Sequence, residues 1–252
     1  MNKIALITGA TSGIGEATTI VLAKLGYNTI ITGRREERLI KLKATLENEY
    51  SIKTLHLCFD IRNQEETLNA INSIPAEWQN IDILINNAGL ASGTEKMDDV
   101  RWDKWQQMID TNITGLLFLS KEIIKFMVKN QSGHIINISS IAGINVYEGG
   151  SVYCATKHAV NAITQGMRID LLKHNIKVTS IAPGMVETEF SLVRFGGDQQ
   201  KADDVYKGVT PLSAQDIAET IEFVVTRPAH VNINDILIMP TQQANAYYTN
   251  RG

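Results

Sequence analysis

The sequence predicts one α/β domain built on a doubly wound, mostly parallel sheet of seven strands with helices on both faces. Three observations predict it. Short β-rich apolar runs alternate with helix-spaced segments from end to end. The first run passes through a glycine-rich loop directly into a helix. No repeat, low-complexity tract or linker divides the chain. Strand–helix alternation gives a parallel sheet covered on both faces, and right-handed crossovers make it doubly wound.

Taken in order, Lys3–Thr8 is a short strand ending at glycine. Ile14–Leu25 is a helix with Ile14, Ala17, Val21 and Leu22 on one side and Gly26 as its stop. Asn28–Thr32 is the second strand. Glu36–Glu49 is a charged amphipathic helix with Leu39, Leu42 and Leu46 inward, and Ile52–Phe59 is the third strand. A helix at Asn63–Ser73 closes before Pro75, and Ile81–Ile85 is the fourth strand. Two helices follow, Trp102–Asn112 and Gly115–Lys129. His134–Ile138 reads as a buried strand, Val152–His174 as a long helix and Lys177–Ile181 as the sixth strand. Ala214–Thr226 and Asp235–Met239 close the series as helix and strand. Between them, residues 184–212 have no clean period and are rich in glycine and charge. Long irregular spans in compact domains are usually functional, so this one is expected to be a substrate lid on a single domain spanning 1–252.

The composition narrows the function. A chain of 252 residues buries a sizeable core, and 44% hydrophobic with 20% charged residues is ordinary for a globular protein. A net charge of −3 points away from nucleic acid and anionic membranes. No run approaches the ~18–20 apolar residues of a membrane span. Lys3–Thr8 is too short for a signal peptide, so the cytoplasm is the expected location. Cys58 and Cys154 are expected as two buried, reduced thiols rather than a disulfide. The histidines at 56, 134, 158, 174 and 230 show no metal-ligand spacing, so no metal is assigned.

The glycine loop is Thr8-Gly9-Ala10-Thr11-Ser12-Gly13-Ile14-Gly15. Glycines let a backbone approach a phosphate closely, and the following helix N-terminus offers unpaired N–H groups to it. A plain tight turn is the alternative, but the strand–loop–helix setting favours a dinucleotide. Gly9, Thr11, Ser12, Gly13, Ile14 and Gly15 are the expected phosphate cradle. The second strand ends in Gly33-Arg34-Arg35, with no acid at its tip. NAD sites usually carry an acid there and NADP sites an arginine. The arginine fork suits phosphate, so Arg34 and Arg35 select NADP(H), unless they are merely solvated residues of a helix start. Asp60, with Ile61 beside it, stands at the third strand's tip and could accept from the adenine amino group or cap the next helix. Asn87, Ala88 and Gly89 at the fourth strand's tip form a floor of small residues for a ribose. All fall at successive strand ends on one edge of the sheet.

The chemistry converges on residues 139–157. Tyr153 and Lys157 are four residues apart, so on a helix they share a face. Ser140 stands at the carboxyl end of the preceding strand, where open α/β sheets place their ligands. An ammonium near a phenol lowers its pKa, so Tyr153 is expected to exchange a proton with an alcohol or carbonyl oxygen. Ser140 would donate to the same oxygen, and Lys157 would also hold the nicotinamide ribose.

Together these residues resemble the classical short-chain dehydrogenase/reductase family over the whole chain. The resemblance rests on Thr8–Gly15, Asn86–Gly89, Ser140 thirteen residues before Tyr153, Lys157 four after it, and Pro183-Gly184. It implies the Rossmann fold. It also implies Asn112 as a fourth catalytic member, retaining a water that links Lys157 to solvent. Pro183, Gly184, Val186 and Thr188 match the family segment that holds the nicotinamide carboxamide. The variable stretches Pro75–Trp78, Trp105–Asn112, Thr188–Phe195 and Pro228–Asn234 resemble the family's NADP-dependent 3-hydroxy acid dehydrogenases. These act on serine, allo-threonine and 3-hydroxypropionate and typically form homotetramers. A small 3-hydroxy acid needs a cation for its carboxylate, and Arg194, just past the nicotinamide segment, is the expected one. Asn145 and Tyr147, in the loop after Ser140, are expected to line the same pocket. The competing readings are a 3-oxoacyl-thioester reductase and a non-catalytic NADP-sensing regulator. The mild acidity argues against the former's carrier-protein partner, and the intact Tyr153–Lys157 pair against the latter.

Overall fold

The computed structural model describes residues 3–99 and 101–252. Seven strands form one sheet: β1 (Ile4–Ile7), β2 (Asn28–Gly33), β3 (Thr54–Cys58), β4 (Ile81–Asn86), β5 (Gly133–Ile138), β6 (Ile176–Pro183) and, last in the chain, β9 (Asp235–Ile238). Their spatial order is β3-β2-β1-β4-β5-β6-β9, and every pairing is parallel. The sequence expectation of a mostly parallel sheet is therefore met in full.

Strand residues alternate between faces, and both faces are apolar. Ala5, Ile7, Ile31, Ile83, Ile85 and Ile136 pack on one side with Leu22, Leu39, Leu46, Ile217 and Ile221. These helix residues come from α1 (Gly13–Lys24), α2 (Glu36–Tyr50) and α9 (Ala214–Val225). Ile4, Leu6, Ile30, Leu84, Ile135 and Val178 pack on the other side with Ile71, Leu119, Ile123 and Met127. These belong to α3 (Gln64–Asn72) and α5 (Leu116–Asn130). The order reverses between β1 and β4, which opens a crevice at their carboxyl ends.

Three expectations need correction. Trp102–Asn112 and Gly115–Lys129 are not separate helices. α4 (Trp102–Ile109) runs into α5 through a wide π turn at Asp110–Gly115. The Asn112 side chain accepts from Leu90 N at 2.9 Å and donates to Leu90 O at 2.8 Å, which holds that turn against the tip of β4. Cys58 is exposed, because it ends an edge strand, while Cys154 is buried; both are free thiols. The irregular span 184–212 is largely ordered into short pieces. β7 (Val186–Glu187) pairs with β8 (Leu212–Ser213), and α7 (Glu189–Arg194) and α8 (Gln199–Asp204) lie between them. The C-terminal residues strap this span down. Gln243 Oε1 accepts from Met185 N, and Gln242 Oε1 from Thr210 N, each at 2.8 Å. Arg251 Nη1 donates to Lys207 O at 2.7 Å.

The long helix α6 (Ser151–Asp170) starts beside the tip of β5. Among the described residues no helix is long and apolar enough to cross a membrane. None of them forms a metal-ligating group of three histidines, cysteines or carboxylates.

Candidate active site

A cleft of about 340 Å³ runs along the carboxyl edge of the sheet. It is bounded by the loops after β1, β2, β3, β4, β5 and β6 and by α7. Of the residues expected to bind cofactor, all but Gly15 line it: Gly9, Thr11, Ser12, Gly13, Ile14, Arg34, Arg35, Asp60, Ile61, Asn87, Ala88, Gly89, Tyr153, Lys157, Pro183, Gly184, Val186 and Thr188.

The glycine loop is built by local constraints. Gly9 has φ +66°, a left-handed conformation that suits glycine. Gly15 faces inward instead of the cleft. A Cβ there would lie 2.3 Å from Gly9 O and 2.5 Å from Asn87 Nδ2, so this glycine serves close packing of α1 on the loop. Asn87 ties the tips of β1 and β4 together, with Nδ2 donating to Thr8 O at 2.9 Å and to Gly9 O at 3.2 Å. Thr8 Oγ1 accepts from the backbone of Asn87 (3.0 Å) and Ala88 (2.9 Å). Two side chains and two backbone amides thus fix the floor on which a ribose would rest.

The arginine end differs in detail from the expectation. Arg35 donates from Nε and Nη2 to Thr11 Oγ1 (3.0 and 2.7 Å), from Nη2 to Ser12 Oγ (2.7 Å) and from Nη1 to Glu189 Oε2 (2.8 Å). Arg38 adds a second guanidinium on Glu189. Arg34 is 55% exposed at the cleft edge, 3.7 Å from Asp60. The Asp60 carboxylate, expected to face adenine or to cap the next helix, is engaged by Arg62, whose Nε lies 3.0 Å from both oxygens and whose Nη2 lies 2.6 Å from Oδ2, and Asn63 caps the helix instead. Burial alone would raise Asp60, but the Arg62 hydrogen bonds outweigh it and hold the carboxyl below the usual range. The two-residue spacing let Arg62 fold back. Sequence inspection missed this pairing, as it missed Arg38, although Arg38 sits one helical turn beyond Arg35.

At the other end stand Ser140, Tyr153 and Lys157. Ser140 begins a short 3₁₀ turn (Ile141–Gly143), where its Oγ accepts from Ala142 N at 3.1 Å. Lys157 is buried, and its Nζ donates to Ile138 O at 2.9 Å. It lies 5.9 Å from the centre of the Tyr153 ring. Asn112, expected as a fourth member, does not line the cleft. It is buried, its Nδ2 also donating to Thr156 Oγ1 at 3.0 Å. It nonetheless flanks the same glycine as Lys157: a Cβ on Gly89 would lie 3.3 Å from Asn112 Oδ1 and 3.6 Å from Lys157 Nζ.

Titration is governed by burial. The Tyr153 phenol is pushed up mainly by desolvation, against the smaller lowering by Ser140 and Arg194. Desolvation lowers the Lys157 ammonium to about 8. The sequence expectation that the ammonium lowers the phenol is not met, because loss of water outweighs the neighbouring charges.

Arg194, from α7, reaches the same place. Its Nε donates to Gly93 O at 3.2 Å, and its guanidinium carbon stands 5.6 Å from the Tyr147 ring centre and 5.9 Å from that of Tyr153. Tyr147, like Tyr153, is raised chiefly by burial. Phe190 of α7 tilts onto Tyr153 with ring centres 5.9 Å apart. Asn145 contributes a backbone bond to Ile141 O and is half-buried. Glu189 and Phe190 were missed from the sequence because nothing in an aperiodic span indicates where its side chains point.

Residues 3–195 match the family model for short chain dehydrogenases, and the chain belongs to that family of oxidoreductases. Two curated relatives are similar over nearly their full lengths. Serine 3-dehydrogenase of Agrobacterium fabrum is 46% identical over 246 residues, covering 98% of this chain and 97% of its own. NADP-dependent 3-hydroxy acid dehydrogenase of Schizosaccharomyces pombe is 42% identical over 250 residues, covering 99% and 96%. A solved closed form of serine dehydrogenase complexed with NADP⁺ superposes with a TM-score of 0.92 at 43% identity, covering 98% of each chain.

Proposed function

We propose that the chain is an NADP(H)-dependent oxidoreductase that transfers hydride between the cofactor and the 3-hydroxyl or 3-oxo carbon of small 3-hydroxy acids. Serine, allo-threonine and 3-hydroxypropionate are the substrates in view. The relatives' names support that class, and the cleft supports the cofactor. Its glycine loop and arginine-rich end suit a phosphorylated dinucleotide, with Arg34, Arg35 and Arg38 at the 2′-phosphate, Asn87–Gly89 at a ribose and Pro183–Thr188 at the nicotinamide. When bound, the nicotinamide supplies the hydride acceptor or donor.

The observation that carries the substrate reading is Arg194. Its guanidinium stands against the rings of Tyr147 and Tyr153, beside the phenol that would handle the proton. A cation there suits a substrate whose carboxylate lies close to the reacting hydroxyl, and it argues against a neutral thioester. Ser140 and Tyr153 hold the substrate oxygen. In reduction, neutral Tyr153 protonates the forming alkoxide and is left as phenolate; in oxidation, the Tyr153 phenolate takes the hydroxyl proton. Lys157 and Asn112 supply the path by which that proton reaches solvent. Tyr147, Asn145 and Arg194 complete the substrate pocket, and residues 184–212 form its lid. A homotetramer belongs to the same reading, on the family resemblance, with the cytoplasm as its expected location; light scattering of the eluting protein checks the assembly.

Steady-state assays with NADP⁺ and NAD⁺ test the proposal, using L-serine, L-allo-threonine, 3-hydroxypropionate and an uncharged secondary alcohol. The expected result is NADP⁺-dependent turnover of the acids. A preference for NAD⁺, or turnover of the uncharged alcohol alone, would overturn it.

A further inference from the structure

The arginine end of the cleft holds an anion of the chain's own. Glu189 is the first residue of α7 and follows Thr188 directly. Its Oε2 accepts from Arg35 Nη1 at 2.8 Å and from Arg38 Nη1 at 3.0 Å, and its Oε1 accepts from Arg38 Nη1 at 2.8 Å. Hydrogen bonds from Arg35, then Arg38, hold this carboxyl below its usual range. The rest of the Arg35 fork is taken by Thr11 and Ser12. The Arg35 donors expected for a 2′-phosphate are therefore largely engaged, while Arg34 stands exposed at the cleft edge, and Glu189, Arg34 and Arg35 all line the cleft.

A phosphate monoester carries ≈ −1.5 to −2 charge at neutral pH and three acceptor oxygens. One carboxylate offers less charge and fewer acceptors, so it is the weaker partner for two guanidiniums. The same short helix carries Phe190 on Tyr153 and Arg194 beside Tyr147. The carboxylate therefore ties the phosphate end of the cleft to its catalytic end.

We propose that Glu189 is a built-in competitor for the 2′-phosphate: it holds Arg35 and Arg38 in the absence of nucleotide and yields them when a phosphorylated dinucleotide enters. On this account α7 is freed from the phosphate end by NADP(H) and not by NAD(H). Glu189 thus takes part in cofactor discrimination without being a ligand of the cofactor. This rests on the NADP(H) reading above.

The test is equilibrium binding to the full-length protein and its Glu189→Gln variant, by calorimetry at low salt, with four probes: NADP⁺, NAD⁺, adenosine 2′,5′-bisphosphate and AMP. Adenosine 2′,5′-bisphosphate carries the 2′-phosphate without a nicotinamide. Exposed ion pairs of this kind are individually weak, so the variant should bind the two phosphorylated probes roughly 3- to 10-fold more tightly, with AMP and NAD⁺ unchanged. Unchanged or weaker binding of adenosine 2′,5′-bisphosphate, or equal tightening for AMP, would overturn the competitor role. Wild-type protein that prefers NAD⁺ would instead refute the underlying cofactor reading. Hydrogen exchange on wild-type protein gives a readout independent of the variant's folding. Adenosine 2′,5′-bisphosphate should speed exchange across Glu189–Arg194, and AMP should not; identical responses to the two would contradict the proposal.

Discussion

Burial, more than pairing, sets the state of the two groups at the centre of the site. Lys157 is lowered from 10.5 to about 8, and Tyr153 is raised. The sign for stability follows. Between pH 8 and 10.5 the unfolded chain binds more protons at Lys157 than the folded one, so stability rises with pH across that window. At pH 7, below both values, the cost of charging the buried amine is fully present. Lys157→Met should therefore raise Tm at pH 7 by roughly 5 °C, with the gain shrinking toward pH 10. A variant less stable at every pH would contradict this, and activity should be lost throughout. Tyr153→Phe should lower kcat by at least ~10² while NADPH still binds, checked by single-turnover assay and fluorescence titration. Arg194→Ala should raise KM for 3-hydroxy acids by roughly 10- to 100-fold, with little change for an uncharged alcohol. Equal losses on both substrates would remove its carboxylate role.

At the scale of elements, α6 does more than present Tyr153 and Lys157. One turn beyond Lys157, Asn161 Oδ1 accepts from Ser139 Oγ at 2.6 Å and Ser180 Oγ at 3.3 Å, and its Nδ2 donates to Gly143 O at 2.8 Å. It clamps the tip of β5, the middle of β6 and the turn after Ser140 onto the catalytic helix. Asn161→Ala leaves buried polar groups unpaired, which costs about 1–3 kcal/mol. Tm should fall, and kcat should fall with it while the Kd for NADPH stays near wild type; an unchanged kcat would deny the positioning role. The elements themselves were legible because their signals are local. Four-residue spacing put Tyr153 and Lys157 on one face, and β-rich runs ending in Gly9, Gly33 and Asn86 marked strand tips. The continuous α4–α5 helix was not legible, since its π turn depends on Asn112 reaching across to Leu90. Cys58 was read as buried from its apolar neighbours, whereas its position on an edge strand is a property of the assembled sheet.

For the whole molecule, the sheet gathers residues distant in sequence onto one edge, with the cleft opening where the strand order reverses. That much follows from alternation and strand order. The wall opposite the sheet does not. It is made by contacts of long sequence separation, such as Arg194 with Gly93, Glu189 with Arg35 and Gln243 with Met185. No periodicity encodes them. The C-terminal strap is part of that wall. Deleting residues 242–252 should raise KM for NADP⁺ roughly tenfold by freeing the Met185 amide and the 205–210 turn, measured by steady-state kinetics. Unchanged kinetics would show that the strap has no bearing on the nicotinamide segment. The central claim is hydride transfer from the 3-carbon of a small 3-hydroxy acid to NADP⁺. Its most direct test is a single turnover of L-serine deuterated at carbon 3. Deuterium should appear in the NADPH, with a slowed transfer step. NADPH formed without the label, or no reduction of NADP⁺ at all, would contradict the account.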